Sequence, residues 1–218
     1  GGASRQVSSN QSHLHPRLGR TVTRHLGSTY RAAIGDHNRA AYAQLRERLD
    51  ACGRPLVLDS FCGTGHSTRA LSARHGDCLL VGIDKSAARL AKHPAQPTDG
   101  YLLLRADCEA IWQQLAADGI ALAHHYILYP NPWPKSRHLQ RRVHGHPAFR
   151  TLLALGGRLE LRSNWQVYVE EFGVAMSLAG QVGVVSELCA PVQPLTLFER
   201  KYHDSGHPLW VYRCAIAP

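Results

Sequence analysis

The sequence predicts an α/β fold with a doubly wound, mostly parallel sheet of seven strands and an antiparallel pair of strands at its C-terminal end. Three apolar runs end at the polar residues Asp84, Asp107 and Asn131, which are separated by 23 and 24 residues. That interval is about the length of one strand plus one crossover helix, as in βαβ units that build a parallel sheet with helices on both faces. The last two apolar runs are joined by a loop with little helical periodicity, which favours antiparallel pairing.

Each predicted strand is a short apolar run bounded by turn residues or by a polar residue. The strands are predicted at residues 55–59, 79–84, 101–107, 123–130, 157–162, 182–189 and 209–217. One helix is predicted from Asp36 to Cys52, because Gly53 stands at the position of a C-terminal cap. Another closes at Gly180, and its apolar residues have the spacing of one buried helix face: Trp165, Val169, Phe172 and Met176.

The length of 218 residues and the hydrophobic fraction of 44% predict one globular domain at residues 29–218. It would follow a flexible basic arm at residues 1–28, which is rich in Ser, Gln, His and Arg without periodicity. No stretch approaches the roughly 20 apolar residues of a membrane span, and no signal-peptide pattern is visible. The six dispersed cysteines favour reduced thiols, so we expect a cytoplasmic protein.

The formal net charge of +9 is unevenly distributed. Between Asp118 and Glu160 the chain has six cations and no acid, and a second basic section, Arg5 to Arg48, carries eight arginines. Such an asymmetry is typical of proteins that bind a polyanion such as nucleic acid. A solvated basic face without a partner would have the same composition, so charge alone leaves both interpretations open.

A glycine loop, Asp59-Ser-Phe-Cys-Gly-Thr-Gly65, follows the first strand at the edge of the sheet where doubly wound folds bind ligands. Asp84, 19 residues after Gly65, could accept hydrogen bonds from both hydroxyls of a cofactor ribose. This pattern fits NAD and S-adenosyl-L-methionine equally. Two features favour the methyl donor: Thr68 stands where a third small residue would be, and Asp59 would repel a pyrophosphate but suit a sulfonium and an ammonium. Asp107 could then receive the adenine amino group.

Several motifs resemble a known family. The glycine loop resembles the first motif of class I S-adenosylmethionine methyltransferases, which have a Rossmann-like fold. The segment Tyr129-Pro-Asn-Pro-Trp-Pro-Lys-Ser-Arg-His138, followed by Arg141-Arg142, resembles the Pro-Asp-Pro-Trp-Pro-Lys-x-Arg-His signature of bacterial tRNA (guanine-N7)-methyltransferases. Residues 195–200 and 206–210 resemble that family's Thr-x-Phe-Glu and Gly-His-x-x-Trp elements. The resemblance covers residues 55–213 and implies methyl transfer from S-adenosyl-L-methionine to guanine N7 of tRNA.

The resemblance also implies the site residues. The methyl donor would be bound by Asp59, Phe61, Cys62, Gly63, Gly65, Asp84, Lys85, Asp107, Cys108, Thr196 and Glu199, although Glu199 could instead order the basic loop. The RNA substrate would be bound by Lys135, Arg137, His138, Arg141, Arg142 and Asn164. Asn131 would orient the target heterocycle, and Trp133 would stack on a base or brace the loop. Because N7 of guanine has no proton to lose, no strong general base is expected, and the sequence indicates no metal site.

Two departures from the family leave the methyl acceptor open. Asn131 and Asn164 replace family acids, and carboxylates suit guanine because its N1–H and 2-amino group are donors. The changes are consistent with drift in a tRNA enzyme, which we expect to be monomeric. They are also consistent with a small nitrogen heterocycle or nucleobase as the acceptor. A third reading is an RNA-binding relative that has lost catalysis, and the retained cofactor residues argue against it.

Overall fold

Seven strands form one sheet in the computed structural model, which describes residues 6–94, 100–189 and 194–217. The strands are β1 (Leu56–Ser60), β2 (Leu79–Asp84), β3 (Tyr101–Arg105), β4 (His124–Leu128), β5 (Gly157–Ser163), β6 (Val184–Glu187) and β7 (Trp210–Ile216). Their order is β3-β2-β1-β4-β5-β7-β6, with β7 antiparallel to both neighbours and the other pairs parallel. The predicted mostly parallel sheet with antiparallel C-terminal strands is confirmed.

The centre of the sheet is apolar on both faces. Every residue of β1 and β2 is buried, which is why these strands read as continuous apolar runs rather than alternating patterns. The strand order reverses between β1 and β4, and the carboxyl ends of both strands meet at this switch point. A crevice outside this edge is where doubly wound sheets bind ligands. The fold therefore places the glycine loop and the end of β4 side by side.

The helices largely follow the predicted pattern. They are α1 (Leu18–Leu26), α2 (Asp36–Cys52), α3 (His66–Arg74), α4 (Ala87–Leu90), α5 (Cys108–Ala117), α6 (Phe149–Ala154), α7 (Gln166–Leu178) and α8 (Leu197–Asp204). The prediction for α2 is confirmed, and Gly53 ends it with a left-handed φ of 62°. Among the described residues no helix has the length and apolarity to cross a membrane.

The segment between β6 and β7 contains α8, so the prediction of a loop with little helix is wrong there. Thr196 caps this helix by accepting a hydrogen bond from the Glu199 amide at 3.0 Å. The only α8 residue that is fully buried is the charged Glu199, whereas Leu197 and Phe198 are exposed. A helix that buries a carboxylate and exposes its apolar residues has no apolar stripe for sequence analysis to detect.

The prediction of a flexible arm at residues 1–28 is wrong for residues 6–28; residues 1–5 lie outside the described residues. Helix α1 buries Leu18, Thr21, Val22 and His25, and it packs against α6 and α7. Upstream of it, Gln11 and His15 are also buried. Leu18, Val22 and Leu26 recur at i, i+4 and i+8, so the sequence does carry a short apolar stripe here, which the Ser-, Gln-, His- and Arg-rich composition obscured.

A buried polar network around Glu171 of α7 holds this N-terminal segment in place. Glu171 accepts hydrogen bonds from Arg142 at 2.9 Å, His144 at 2.8 Å, Gln11 at 2.6 Å and the His15 amide at 2.8 Å. Arg142, His144 and Glu171 are fully buried. Burial would raise the pKa of Glu171, but these hydrogen bonds and the Arg142 charge lower it to about 2. We call these five residues the Glu171 network.

Replacing Glu171 by Gln should lower the free energy of unfolding by about 3 kcal/mol, because Arg142 would remain buried without a counter-charge. The half-buried neighbouring Glu170, whose carboxylate accepts an exposed hydrogen bond from Gln166, provides the matched control Glu170→Gln, which should be nearly neutral. The wild-type contribution is present above pH 4.5 and is lost as the pH falls toward 2, since the folded-state pKa is the lower one. Urea titrations of both variants at pH 7 and pH 3 measure this. Equal destabilisation by both would contradict it.

Candidate active site

The glycine loop is bent back over the end of β2. Phe61, Gly63 and Gly65 have left-handed φ values of 62°, 61° and 79°. The Gly63 amide donates to Oδ2 of Asp84 at 2.9 Å, and the Cys62 amide donates to the Ile83 carbonyl at 3.0 Å. A Cβ at Gly65 would lie 2.8 Å from the Leu103 side chain, so this glycine is required for both conformation and space. The loop and β2 therefore form one rigid unit.

Asp84 lies at the end of β2 as predicted, with its carboxylate fixed by the backbone. Oδ1 accepts from the Ser86 amide at 2.9 Å, and Arg89 of α4 lies 3.7 Å from Oδ2. The side chain is 4% exposed and borders a cavity. Each carboxylate oxygen has a second lone pair, so Asp84 can still accept hydrogen bonds from ribose hydroxyls.

Asp59 is fully buried beneath the glycine loop, and it lines neither of the two cavities described below. Oδ2 accepts hydrogen bonds from Ser67 at 2.6 Å and Thr68 at 2.8 Å, whereas Oδ1 has no partner. Burial raises the pKa of Asp59 to about 6, and the two hydroxyl hydrogen bonds only partly offset this. Because it lies outside both cavities, Asp59 can act on a bound donor only through its charge, and an orphaned carboxylate oxygen beneath the loop would attract a donor that carries an ammonium group.

Asp107 and Cys108 lie at the start of α5, beside the end of β3. Asn38 of α2 fixes Asp107 with two hydrogen bonds: its Nδ2 donates to the carboxylate at 3.0 Å, and its Oδ1 accepts from the Asp107 amide at 2.9 Å. The buried Cys108 thiol accepts from the Phe61 amide at 3.3 Å. Asn38, which sequence analysis missed, is the residue that orients the acid predicted to meet adenine.

A cavity of about 540 Å³ joins the cofactor residues to the loop after β4. Its walls include the predicted cofactor residues Phe61, Asp84, Lys85, Asp107 and Cys108 and the predicted acceptor residues Asn131, Trp133 and Arg141. Trp112 also lines it, with its ring edge-on to Phe61 at 5.8 Å. Trp112 lies one helical turn after Cys108, and that spacing could have identified it from the sequence.

The segment Tyr129–His138, which we call the proline loop, is strained at two positions. Tyr129 and Trp133 have φ values of 56° and 44°, a region that non-glycine residues rarely adopt. Oδ1 of Asn131 accepts a hydrogen bond from the Trp133 amide at 3.2 Å, which closes a tight turn. Backbone strain of this kind concentrates at functional sites, where the surrounding structure holds it in place.

The predicted phosphate-binding cations divide into two groups. Lys135, Arg137 and Arg141 are exposed, and the Arg141 guanidinium lies 5.0 Å from the centre of the Trp133 ring. His138 is half-buried against the edge of the same ring. The prediction for Arg142 is wrong: its guanidinium is fully buried in the Glu171 network and donates to the Trp133 and Lys135 carbonyls.

A second cavity of about 430 Å³ lies between the glycine loop and α8. Predicted cofactor residues Cys62, Gly63 and Thr196 line it, together with Tyr129 and Phe198. Phe198 was not predicted, although it lies between the motif residues Thr196 and Glu199. This cavity shares Phe61 and Tyr129 with the first, so the two form neighbouring compartments around the end of β4.

Glu199 was predicted as a cofactor ligand, but the structure places it in a buried ion pair. It accepts hydrogen bonds from Arg162, from the Tyr129 hydroxyl at 2.8 Å and from the Leu195 amide at 2.6 Å. Because the side chain is fully buried and both carboxylate oxygens are engaged by protein groups, the prediction that Glu199 contacts the donor is wrong, whereas its alternative role of ordering the basic loop agrees with these contacts. Glu199 instead ties α8 and the proline loop to β5.

Asn164 does not share a cavity with Asn131. Its Nδ2 donates to the Tyr202 hydroxyl of α8 at 2.9 Å, and it lines neither cavity. The interpretation that both asparagines alter one acceptor pocket is therefore wrong. Asn164 fastens α8 to the end of β5, as Glu199 does.

A sheet in this strand order, with a glycine loop after β1 and acids after β2 and β3, defines a class I methyltransferase. The sequence matches the family Methyltransf_4, described as "Putative methyltransferase", over residues 53–212, and the chain belongs to that family. The predictions that the chain belongs to a methyltransferase family, that it is a methyltransferase and that its methyl donor is S-adenosyl-L-methionine are confirmed.

Relatives and solved structures agree with this assignment. The chain is 29% identical to the tRNA (guanine-N(7)-)-methyltransferase of Stutzerimonas stutzeri (strain A1501), over 76% of this chain and 75% of the relative. It is 30% identical to that of Acidovorax sp. (strain JS42), over 76% and 70%. The solved 16S rRNA methyltransferase KamB shares the fold at a TM-score of 0.56 and 21% identity, covering 86% of this chain and 96% of KamB.

Replacing Asp84 by Ala should weaken S-adenosyl-L-methionine binding by about 100-fold or more, because a charged acceptor of the ribose hydroxyls is lost and the Gly63 amide loses its partner. The matched control is Asp77→Ala, which removes an exposed acid at the opposite end of β2 and should bind the donor normally. Isothermal titration calorimetry measures both affinities. An unchanged affinity in the Asp84 variant would remove this residue from the donor site.

Proposed function

We propose that this protein transfers the methyl group of S-adenosyl-L-methionine to N7 of guanine in tRNA. The observation that carries the proposal is the single cavity in which Asp84 and Asp107 face Asn131 and Trp133. The exposed cations Lys135, Arg137 and Arg141 lie on the proline loop or immediately after it. The names of the curated relatives support tRNA guanine as the acceptor.

The donor would lie across the carboxyl ends of β1, β2 and β3. Asp84 would accept hydrogen bonds from its ribose, Asp107 would accept from its adenine amino group, and Phe61 and Trp112 would pack on the apolar ring. The orphaned Oδ1 of Asp59 would attract its ammonium group. Bound S-adenosyl-L-methionine supplies an electrophilic methyl group on its sulfonium.

The protein's part in the transfer is to position the acceptor. N7 carries a lone pair and no proton, so the residues of the proline loop need only hold the base in line with the methyl group and exclude water. Asn131 Oδ1 accepts from the Trp133 amide, whereas its Nδ2 donates to no described residue, so Nδ2 is a free donor for a base. An amide donor matches O6, the acceptor next to N7 on guanine.

A second candidate acceptor is a small nitrogen heterocycle or nucleobase. The observation that favours it is Asn131 itself, a neutral residue where the family carries an acid, at the wall of the cavity. A small acceptor would not require the exposed cations of the proline loop. The two functions therefore differ in their dependence on Lys135, Arg137 and Arg141.

The deciding experiment uses purified protein, labelled S-adenosyl-L-methionine and unmodified tRNA, with the product nucleosides identified by mass spectrometry. We expect 7-methylguanosine, and a loss of most activity in the variant Arg137→Ala/Arg141→Ala. Donor binding without any transfer to tRNA would contradict the proposal and favour the small acceptor. An Asn131→Asp variant that methylates tRNA far faster than the wild type would do the same.

Donor affinity should depend on the protonation of Asp59. Because the pKa of Asp59 is raised to about 6 by burial, the carboxylate that would attract the ammonium is neutralised below that pH. Affinity should therefore be about tenfold weaker at pH 5 than at pH 7. Asp59→Asn should bind weakly at both values with little pH dependence. An equally steep pH dependence in this variant, measured by calorimetry, would assign the titration to another group.

A further inference from the structure

Two stretches of the chain contain no acidic residue, residues 1–35 and residues 119–159. The described part of the first, residues 6–35, packs against the second. Ser9 Oγ donates to the Pro134 carbonyl at 2.5 Å, across 125 positions of sequence. Asn10 Oδ1 accepts from the Ser136 amide at 3.0 Å. The fold thus joins two basic segments that lie far apart along the chain.

Helix α1 then runs beside the segment that follows the proline loop. Just before α1 begins, His15 Nε2 lies 3.0 Å from the Ser136 carbonyl of the proline loop. Beyond the end of α1, Arg150 donates to the Ser28 carbonyl at 3.2 Å, and the Tyr30 ring contacts His146 edge-on. Contacts at both ends fix the direction of α1 relative to the exposed cations of residues 135–141.

One face of α1 is cationic and exposed. Arg17, Arg20 and Arg24 are spaced i, i+3 and i+7, which places them on the same side of the helix, opposite the buried Leu18 and Val22. None of these three arginines forms an ion pair with a described residue, and the same holds for Lys135, Arg137 and Arg141. Exposed cations that lack ion pairs, in segments that contain no acid, attract a polyanion.

The acid that joins the two segments does not neutralise this surface. Glu171 is fully buried, and its charge is balanced by Arg142, which is also fully buried. Glu171 therefore does not neutralise the charges of the six exposed cations, while the buried ion pair holds the two segments together.

We propose that Arg17, Arg20 and Arg24 of α1 form, with Lys135, Arg137 and Arg141, one continuous surface that binds the RNA phosphate backbone. This rests on the proposed function and adds a second phosphate-binding element outside the proline loop. The α1 side of the surface would hold a part of the RNA next to the nucleotide that enters the cavity. Because these contacts are to phosphates, they contribute affinity without sequence specificity.

The test is the salt dependence of tRNA binding, measured by fluorescence anisotropy with the full chain between roughly 50 and 200 mM salt. The variant Arg17→Ala/Arg20→Ala/Arg24→Ala should bind at least about tenfold more weakly at low salt, and its slope of log affinity against log salt should fall by about 2 to 3. The matched control Arg54→Ala/Arg74→Ala/Arg158→Ala removes the same charge from the amino-end side of the sheet and should leave the slope nearly unchanged.

Donor affinity, measured in parallel, should be equal in the wild type and in both triple variants, which shows that the fold is intact. A wild-type slope in the α1 variant, combined with a reduced slope in Arg137→Ala/Arg141→Ala, would overturn the α1 surface and leave the proposed function standing. Equal losses in the α1 variant and in the control would also overturn it, since net charge alone would then explain binding. A chain that binds and methylates no tRNA would overturn both proposals.

Discussion

The buried ion pair between Arg142 and Glu171 is the interaction on which the arrangement of the site depends. Removing two charges from water is costly, and such a pair is stable only when hydrogen bonds satisfy its remaining atoms. Glu171 accepts from four groups, and Arg142 donates to Gln11 and to the carbonyls of Trp133 and Lys135. The pair thereby connects the N-terminal segment, the proline loop and α7. An ion pair whose polar atoms are satisfied in this way favours one arrangement of those three segments over others.

Three residues that line the cavity, Phe61, Tyr129 and Trp133, have strained backbone conformations that depend on such rigid surroundings. Residues in sparsely populated φ/ψ regions cost of order 1–3 kcal/mol each and persist only where their surroundings hold them. The Phe61 backbone amide donates a hydrogen bond to the Cys108 thiol, and the Trp133 carbonyl accepts one from the Arg142 guanidinium. Tyr129 is held by Glu199, which is itself paired with Arg162. Two buried ion pairs, Arg142–Glu171 and Arg162–Glu199, therefore stabilise the two strained positions of the proline loop.

The sequence could predict the features that depend on short-range patterns. The strands of the parallel sheet, α2 and the acids at the ends of β2 and β3 all follow from apolar periodicity and spacing. Arg142 could not be predicted correctly, because it differs from Arg141 only in burial and its partners are 29 and 131 residues away. The two roles predicted for Glu199 could not be separated, because its partners Arg162 and Tyr129 are 37 and 70 residues away. Residues 6–17 pack through polar side chains such as Gln11 and His15, so composition suggested a loose arm where tertiary contacts fix one conformation.

Methylation of an atom that carries no proton requires no proton transfer, so catalysis depends on how the base and the methyl donor are positioned. The acids nearest the proposed donor, Asp84 and Asp107, are engaged by backbone amides or by Asn38, and a reaction at N7 removes no proton, so it needs no general base. The proposed rate acceleration then comes from holding base and donor in line, where small displacements cost orders of magnitude. The burial of Arg142 is consistent with this demand. A cation that contacted phosphate directly would add affinity for RNA, but the buried one fixes the loop that orients the base.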